Sequence, residues 1–205
     1  MYDLLDLYAR PFQPKEPVVC LDEKSKQLLK QSRAPLPIKP GKTLKEDHEY
    51  IRSGTCNLFV AVEPKGGRRT VTVTDHRTKI DFVTFVLWLL EQVYPTAHHI
   101  HLVMDNLNTH FRKCFDEVLG VKKAQALLRR AVFHYTPKHA SWLNMAEIEI
   151  GILDRQCLDR RLPDRTTLTA EVNAWQQRRN TEQRGIEWTF TRQDADKKMA
   201  RHYIS

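Results

Sequence analysis

The sequence predicts an α/β protein, a mixed five-stranded sheet flanked by helices, and three observations predict it. Short apolar or β-branched runs recur at residues 18–21, 56–62, 70–74, 99–104 and 131–135. Stretches with apolar residues spaced three and four apart lie between the later runs. The resulting order is β-β-β-α-β-α-β-α. An antiparallel meander is followed by helices alternating with parallel strands, which makes a mixed sheet covered by helices.

Each element has its own local reason. In the first strand Val18, Val19, Cys20 and Leu21 meet Asp22 and Glu23, and the alternation of Lys24, Lys26 and Leu28 continues its two-residue period. Residues 33–41 hold Pro35, Pro37, Pro40 and Gly41 and form an extended loop. Glu63-Pro64-Lys65-Gly66-Gly67 joins the second and third strands, with glycines where a hairpin turn needs positive φ. Residues 79–93 place Phe82, Phe85, Val86, Leu89, Leu90 and Val93 on one side of an amphipathic helix. The fourth strand ends in Asp105. Residues 111–130 read as a weaker helix, the fifth strand follows, and residues 144–157 form another helix. Beyond Cys157 the chain becomes more basic, and helices are expected over residues 166–180 and 191–203.

The bulk numbers exclude some classes of function. Lys and Arg outnumber Asp and Glu by 33 to 25, a net charge of +8, which favours a polyanionic partner because basic groups release the counterions condensed on phosphates. The longest apolar run, around Phe82 to Leu90, is interrupted by Thr84 and is too short to span a bilayer. The first residues, Met1-Tyr2-Asp3-Leu4, have no basic leader before an apolar stretch, so no secretory signal is visible. Cys20, Cys56, Cys114 and Cys157 are scattered without a CxxC pair, as expected of reduced thiols in the cytoplasm.

The chemistry is carried by carboxylates. Val18, Cys20 and Asp22 share one strand face, as do His101, Val103 and Asp105. If the two strands are parallel neighbours, both Asp side chains converge at the carboxyl edge of the sheet, where open α/β sheets place their sites. Two such carboxylates repel, so one pKa rises unless a cation intervenes. Mg²⁺ suits that place, because it takes one or two carboxylates together with substrate phosphate. A third acid is needed to hold two metals, and Trp142-Leu143-Asn144-Met145-Ala146-Glu147-Ile148-Glu149 offers two. Glu147 and Glu149 lie about 200° apart around a helix and cannot both face the crevice. Glu147, in the first turn, is preferred and Glu149 is the fallback. Asn144 followed three residues later by Glu147 also reads as a capping box, and that reading stays open.

Three blocks carry a resemblance: Asp22-Glu23-Lys24-Ser25, Met104-Asp105-Asn106-Leu107-Asn108-Thr109-His110, and the run from Tyr135-Thr136-Pro137-Lys138-His139-Ala140-Ser141 through Trp142 to Glu147. Together they resemble the DDE transposases of the mariner-like superfamily, with the bacterial insertion-sequence-630 family as the nearest branch. The resemblance runs from about Pro17 to the C-terminus and is most specific over residues 137–147. It implies an RNase H-like catalytic core over residues 17–157, an N-terminal remnant or linker at 1–16, and a basic helical C-terminal extension at 158–205 packed on the core. It also implies Asp22, Asp105 and Glu147 as the catalytic, metal-holding triad, with Mg²⁺, or Mn²⁺ as substitute, as two ions roughly 3.5–4 Å apart. Asp22 would bridge the ions, and Asp105 and Glu147 would each hold one.

The implied function is Mg-dependent cleavage and strand transfer of double-stranded DNA, at transposon ends and target, by a homodimer in the cytoplasm. Family members carry helix-turn-helix modules ahead of the catalytic domain, so a separate or missing N-terminal module is an expected partner. The alternatives are an inactive or partner-dependent fragment that only binds DNA, and another RNase H-like nuclease.

Asn106, Asn108 and His110, which follow the second Asp, are candidates for positioning phosphate or water, or for a polar loop making its own turn bonds. Lys138 and His139 should rim the site. Trp142 either stacks on a base or packs at the helix entry. His98, His99 and His101 are not expected to bind zinc, since His98 points away from the other two and no cysteine accompanies them.

Overall fold

The computed structural model describes residues 1–33, 40–41, 48–105 and 112–203. Strands β1 (Val18–Gln31), β2 (Tyr50–Glu63), β3 (Arg68–Thr74), β4 (Ile100–Met104) and β5 (Ala131–Tyr135) form one sheet in the order β3-β2-β1-β4-β5. The first three pair antiparallel, and β4 and β5 add in parallel on the other side of β1. The predicted mixed sheet is therefore present. Strands β1 and β2 run further than their apolar cores, as a two-stranded ribbon with a register shift between Gln27 and Leu29. The alternation of Lys24, Lys26 and Leu28 carries β1 as far as Leu28, and backbone pairing takes the two strands on through residues such as Lys30, Tyr50 and Arg52 that show no apolar alternation.

Strand alternation divides the core. Val19, Leu21, Phe59, Ala61, Leu102 and Met104 face α2 (Lys79–Trp88), α3 (Arg112–Leu119) and α4 (Val121–Leu128), where Phe82, Phe85, Val86 and Phe115 fill the layer. Each such side chain stabilises the fold by ~1.5–3 kcal/mol. Helix α2 starts at a capping box in which Thr78 and Asp81 satisfy each other's backbone amides, and it runs on into a π-helical turn, Leu89–Val93. The single helix expected over residues 111–130 is two. Gly120, at φ 78°, ends α3 and begins α4, a backbone state that costs a residue with a side chain more than it costs glycine.

On the opposite face, Leu58, Val60, Val71 and Val73 pack against α5 (Ala146–Leu153) and α6 (Arg165–Glu182). Cys20, Val62 and Val103 on that face are covered by α1 (Tyr2–Ala9), for which the sequence showed no element. Leu4, Leu5, Leu7 and Tyr8 of α1 are buried, but eight residues are too few for a periodic pattern to stand out. Helix α7 (Arg192–Tyr203) meets α1 through an Arg192–Asp6 ion pair of 3.0 Å and a Tyr2–Asp196 hydrogen bond of 2.5 Å. Among the described residues no helix is long and apolar enough to cross a membrane.

Candidate active site

Asp22 and Asp105 reach one edge of the sheet because β1 and β4 are parallel and in register. Cys20 is opposite Val103, and each Asp lies two residues further along its strand. Asp22 is half-buried on β1, opposite Val60 of β2, and its Oδ1 accepts the Glu23 amide at 2.7 Å. Asp105, also half-buried, follows the last residue of β4.

The third acid arrives through a short connection from β5. Thr136 N–H donates to the Met104 carbonyl at 2.9 Å, prolonging the β4–β5 pairing by one step. The chain then turns with His139 at φ 63°, makes a 3₁₀ turn at Ser141–Leu143 and enters α5. Two buried polar groups fix this entry. Asn144 donates from Nδ2 to the Leu21 carbonyl at 2.7 Å and accepts the Ala146 amide on Oδ1 at 3.1 Å, which ties α5 to β1 one residue from Asp22. Tyr8 of α1 donates its hydroxyl to the Leu143 carbonyl at 2.7 Å.

Asn144 is extended just before the helix and takes the Ala146 amide on its side chain, as a helix cap does, while the helical Met145 after it makes no side-chain cap bond. The Glu147 side chain is exposed. Tyr8 is a residue that sequence reasoning missed, since its helix is too short to show a period, and Asn144 was read only as a possible cap and not as the tie from α5 to β1.

Burial, opposed by the Glu23 amide bond and then reinforced by the charges of Asp105 and Glu147, pushes the Asp22 carboxyl up from 3.8 to about 6. Asp105 and Glu147 thus lie near enough to act on the Asp22 charge at this edge of the sheet. Glu149 does not share it. Its carboxylate is fully buried between two guanidinium groups, with Oε1 3.0 Å from Arg69 Nε and 3.1 Å from Arg179 Nε. Arg69 Nη2 and Arg179 Nη2 donate to Oε2 at 3.1 and 3.4 Å.

Lys138 and His139 are exposed on the turn before α5. Trp142, 46% exposed, has one face stacked on Trp188 at 6.2 Å between centroids, and Phe190 meets it edge-on at 5.4 Å. Asn106, Asn108 and His110 lie outside the described residues. His99 and His101 are drawn into other contacts. His99 lies 3.9 Å from Glu16, and the His101 and His134 rings meet at 2.9 Å, with His134 also 2.8 Å from Asp3.

Among the described residues no three His, Cys, Asp or Glu side chains are gathered closely enough to hold a metal as they stand. The donor set nevertheless suits a hard cation. Mg²⁺ completes its octahedron with water and substrate phosphate, so it needs one or two carboxylates at a time and not a protein cage. A half-buried carboxylate destabilised by two neighbouring acids, as Asp22 is, gains from such a cation.

A family model described as DDE superfamily endonuclease matches residues 17–169. No curated protein matches the sequence. Among solved structures, the Mos1 mariner paired-end complex with Mn is similar at a TM-score of 0.52 and 16% identity, covering 89% of this chain and 54% of that one. The Mos1 strand transfer complex is similar at 0.53 and 14%, covering 89% and 55%. The Mos1 paired-end complex with Mg is similar at 0.51 and 16%, covering 89% and 56%. The shared architecture is the RNase H-like fold, and this chain spans about half the length of those structures.

Proposed function

We propose that this chain, which belongs to the DDE superfamily endonuclease family, is the catalytic domain of a mariner-like transposase of the insertion-sequence-630 branch, cutting and joining DNA strands with Mg²⁺ or Mn²⁺. The observation that carries the proposal is that parallel, in-register β1 and β4 bring Asp22 and Asp105 to one sheet edge while Asn144 ties the start of the Glu147 helix to β1 one residue from Asp22. Structures of the same fold have been solved as a paired-end complex with Mn, another with Mg, and a strand transfer complex, and this supports both the DNA substrate and the choice of metal. Asp22, Asp105 and Glu147 are the residues that would hold the ions. Bound there, divalent ions supply charge neutralisation at the scissile phosphate and activation of the attacking hydroxyl.

The chain's own residues do the rest. Asn144 and Tyr8 hold the entry of α5 against β1, so that the third acid is presented from a rigid element. The free face of Trp142 offers a surface on which a base can stack, and Lys138 and His139 next to it meet phosphate. In the domain reading that accompanies this function, residues 17–157 are the core and 158–205 a basic extension packed on it. A helix-turn-helix module on another polypeptide or segment recognises the ends, and the working complex is a homodimer.

The test is nicking of supercoiled plasmid by the purified chain with Mg²⁺ or Mn²⁺, beside EDTA and the variants Asp105→Asn and Glu147→Gln. Metal-dependent nicking lost in both variants is expected. Undiminished nicking by Asp105→Asn would refute the triad.

A further inference from the structure

Glu149 raises a question that the triad leaves unanswered. A carboxylate two residues from the third acid is withdrawn fully into the core and gripped from two sides, an arrangement with a large desolvation cost that an apolar residue would avoid. The grip is specific. Arg69 is on β3 and Arg179 on α6; Arg179 hydrogen-bonds both oxygens of the carboxylate, and Arg69 donates to Oε2 through Nη2 while its Nε lies 3.0 Å from Oε1 without the alignment of a hydrogen bond.

Both arginines are themselves anchored. Arg69 Nη1 donates to the Gly67 carbonyl at 2.6 Å, and Arg179 lies 3.6 Å from Glu182. The backbone of Arg69 is fastened to α6 as well, since its N–H donates to Asn180 Oδ1 at 2.7 Å and its carbonyl accepts Asn180 Nδ2 at 2.8 Å. Val71 N–H donates to Gln176 Oε1 at 2.6 Å in the same way. Side chains of α6 thus occupy the outer edge of β3 and hold Arg69 and Arg179 as a fixed pincer.

What the pincer fixes is rotation. Apolar packing resists translation of a short helix better than turning about its axis, because apolar contacts are non-directional. A bidentate ion pair has a required direction. Glu147 lies about 200° from Glu149 around α5, so clamping one sets the azimuth of the other. We infer that Glu149, held between Arg69 and Arg179, is a positioning residue that sets the rotation of α5 and so presents Glu147 to the carboxylate crevice.

The inference rests on the reading of Glu147 as a metal ligand, and its test separates the two. Mn²⁺ affinity of the full chain is measured by electron paramagnetic resonance for wild type, Glu147→Gln, Glu149→Gln and the double variant, with thermal unfolding recorded for each. Glu149→Gln is expected to weaken Mn²⁺ binding by about ten-fold or more, the size typical for partners that orient a metal's ligands. In the Glu147→Gln background the same change should add almost nothing, because Glu149 acts only through Glu147.

An unchanged affinity in Glu149→Gln, or an effect that persists undiminished without Glu147, overturns the positioning role. An unchanged affinity in Glu147→Gln overturns the ligand reading itself, and the positioning role with it. If Glu149→Gln does not fold, Arg179→Lys keeps the charge while losing the two-pronged contact. It must then show the same loss in affinity and the same dependence on Glu147, or the inference fails.

Discussion

Replacing Asp22 by asparagine should make the metal-free protein more stable while removing its ability to bind a divalent ion. In the folded chain the Asp22 carboxyl is pushed up from 3.8 to about 6, by burial first and by Asp105 and Glu147 after it. The folded value lies above the unfolded one. The stabilisation contributed by the protonated carboxyl is therefore fully present below pH 3.8 and gone once the pH has risen through about 6. At pH 7 the charged group costs the fold ~3 kcal/mol. Asparagine removes the charge and keeps an oxygen for the Glu23 amide, although its own burial takes back part of the gain.

A net stabilisation of ~1–2 kcal/mol at pH 7 is expected, equivalent to a rise of roughly 2–8 °C in Tm for a chain of this size. Thermal unfolding in EDTA at pH 7 and at pH 3.5 measures it. The advantage of Asp22→Asn should be largest at pH 7 and should shrink towards zero at pH 3.5, where the wild-type carboxyl is protonated as well. Added Mg²⁺ should raise the Tm of the wild type and leave the variant nearly unmoved. An Asp22→Asn protein less stable than wild type at pH 7, or an advantage that does not change with pH, would show that Asp22 is not the strained charge of this site.

Other expectations follow from the same contacts. Tyr8→Phe leaves the buried Leu143 carbonyl without its donor and should cost ~1–3 kcal/mol in urea unfolding, with faster amide exchange over residues 141–147. Gly67→Ala should cost ~2 kcal/mol or more by the same assay, since φ is 68° there and a Cβ would collide with the Gln183 carbonyl. On the alkaline side, burial holds the Cys20 thiol up at about 12 against 9.0 unfolded. Its stabilisation, ~4 kcal/mol, is present below pH 9 and should be lost as the pH rises from 9.0 towards 12. A flat unfolding midpoint over that window would contradict it.

The sequence displays whatever local alternation controls. The apolar cores of all five strands, the hairpin at Gly66 and Gly67, and the run from Lys79 to Val93 are each decided by neighbours a few residues away, and their placement could be read directly. The same alternation puts Asp22 and Asp105 on matching faces, two residues past a register pair that parallel strands enforce. It fails where backbone pairing or a single φ angle decides. The polar ends of β1 and β2 are strand because each supplies the other's hydrogen bonds, and Gly120 breaks a helix whose apolar period passes through it unchanged.

The pair Glu147 and Glu149 shows why the third acid was the hardest part to read. Both sit in the first turn of one helix, and within the local sequence only the nearness of Glu147 to the incoming loop favours it over Glu149. The distinction is made by Arg69, eighty residues back, and Arg179, thirty residues on, which converge only because α6 lies along the edge of β3. Two surface-type arginines in the sequence become two-thirds of a buried ion cluster in the fold, and the acid they select is thereby removed from the crevice. The acid they leave free is the one that Asp22 senses. A basic C-terminal segment that composition alone assigns to a polyanion thus divides its arginines between core and surface. Arg179 is drawn inward to the Glu149 carboxylate, while its neighbour Arg178 stays exposed.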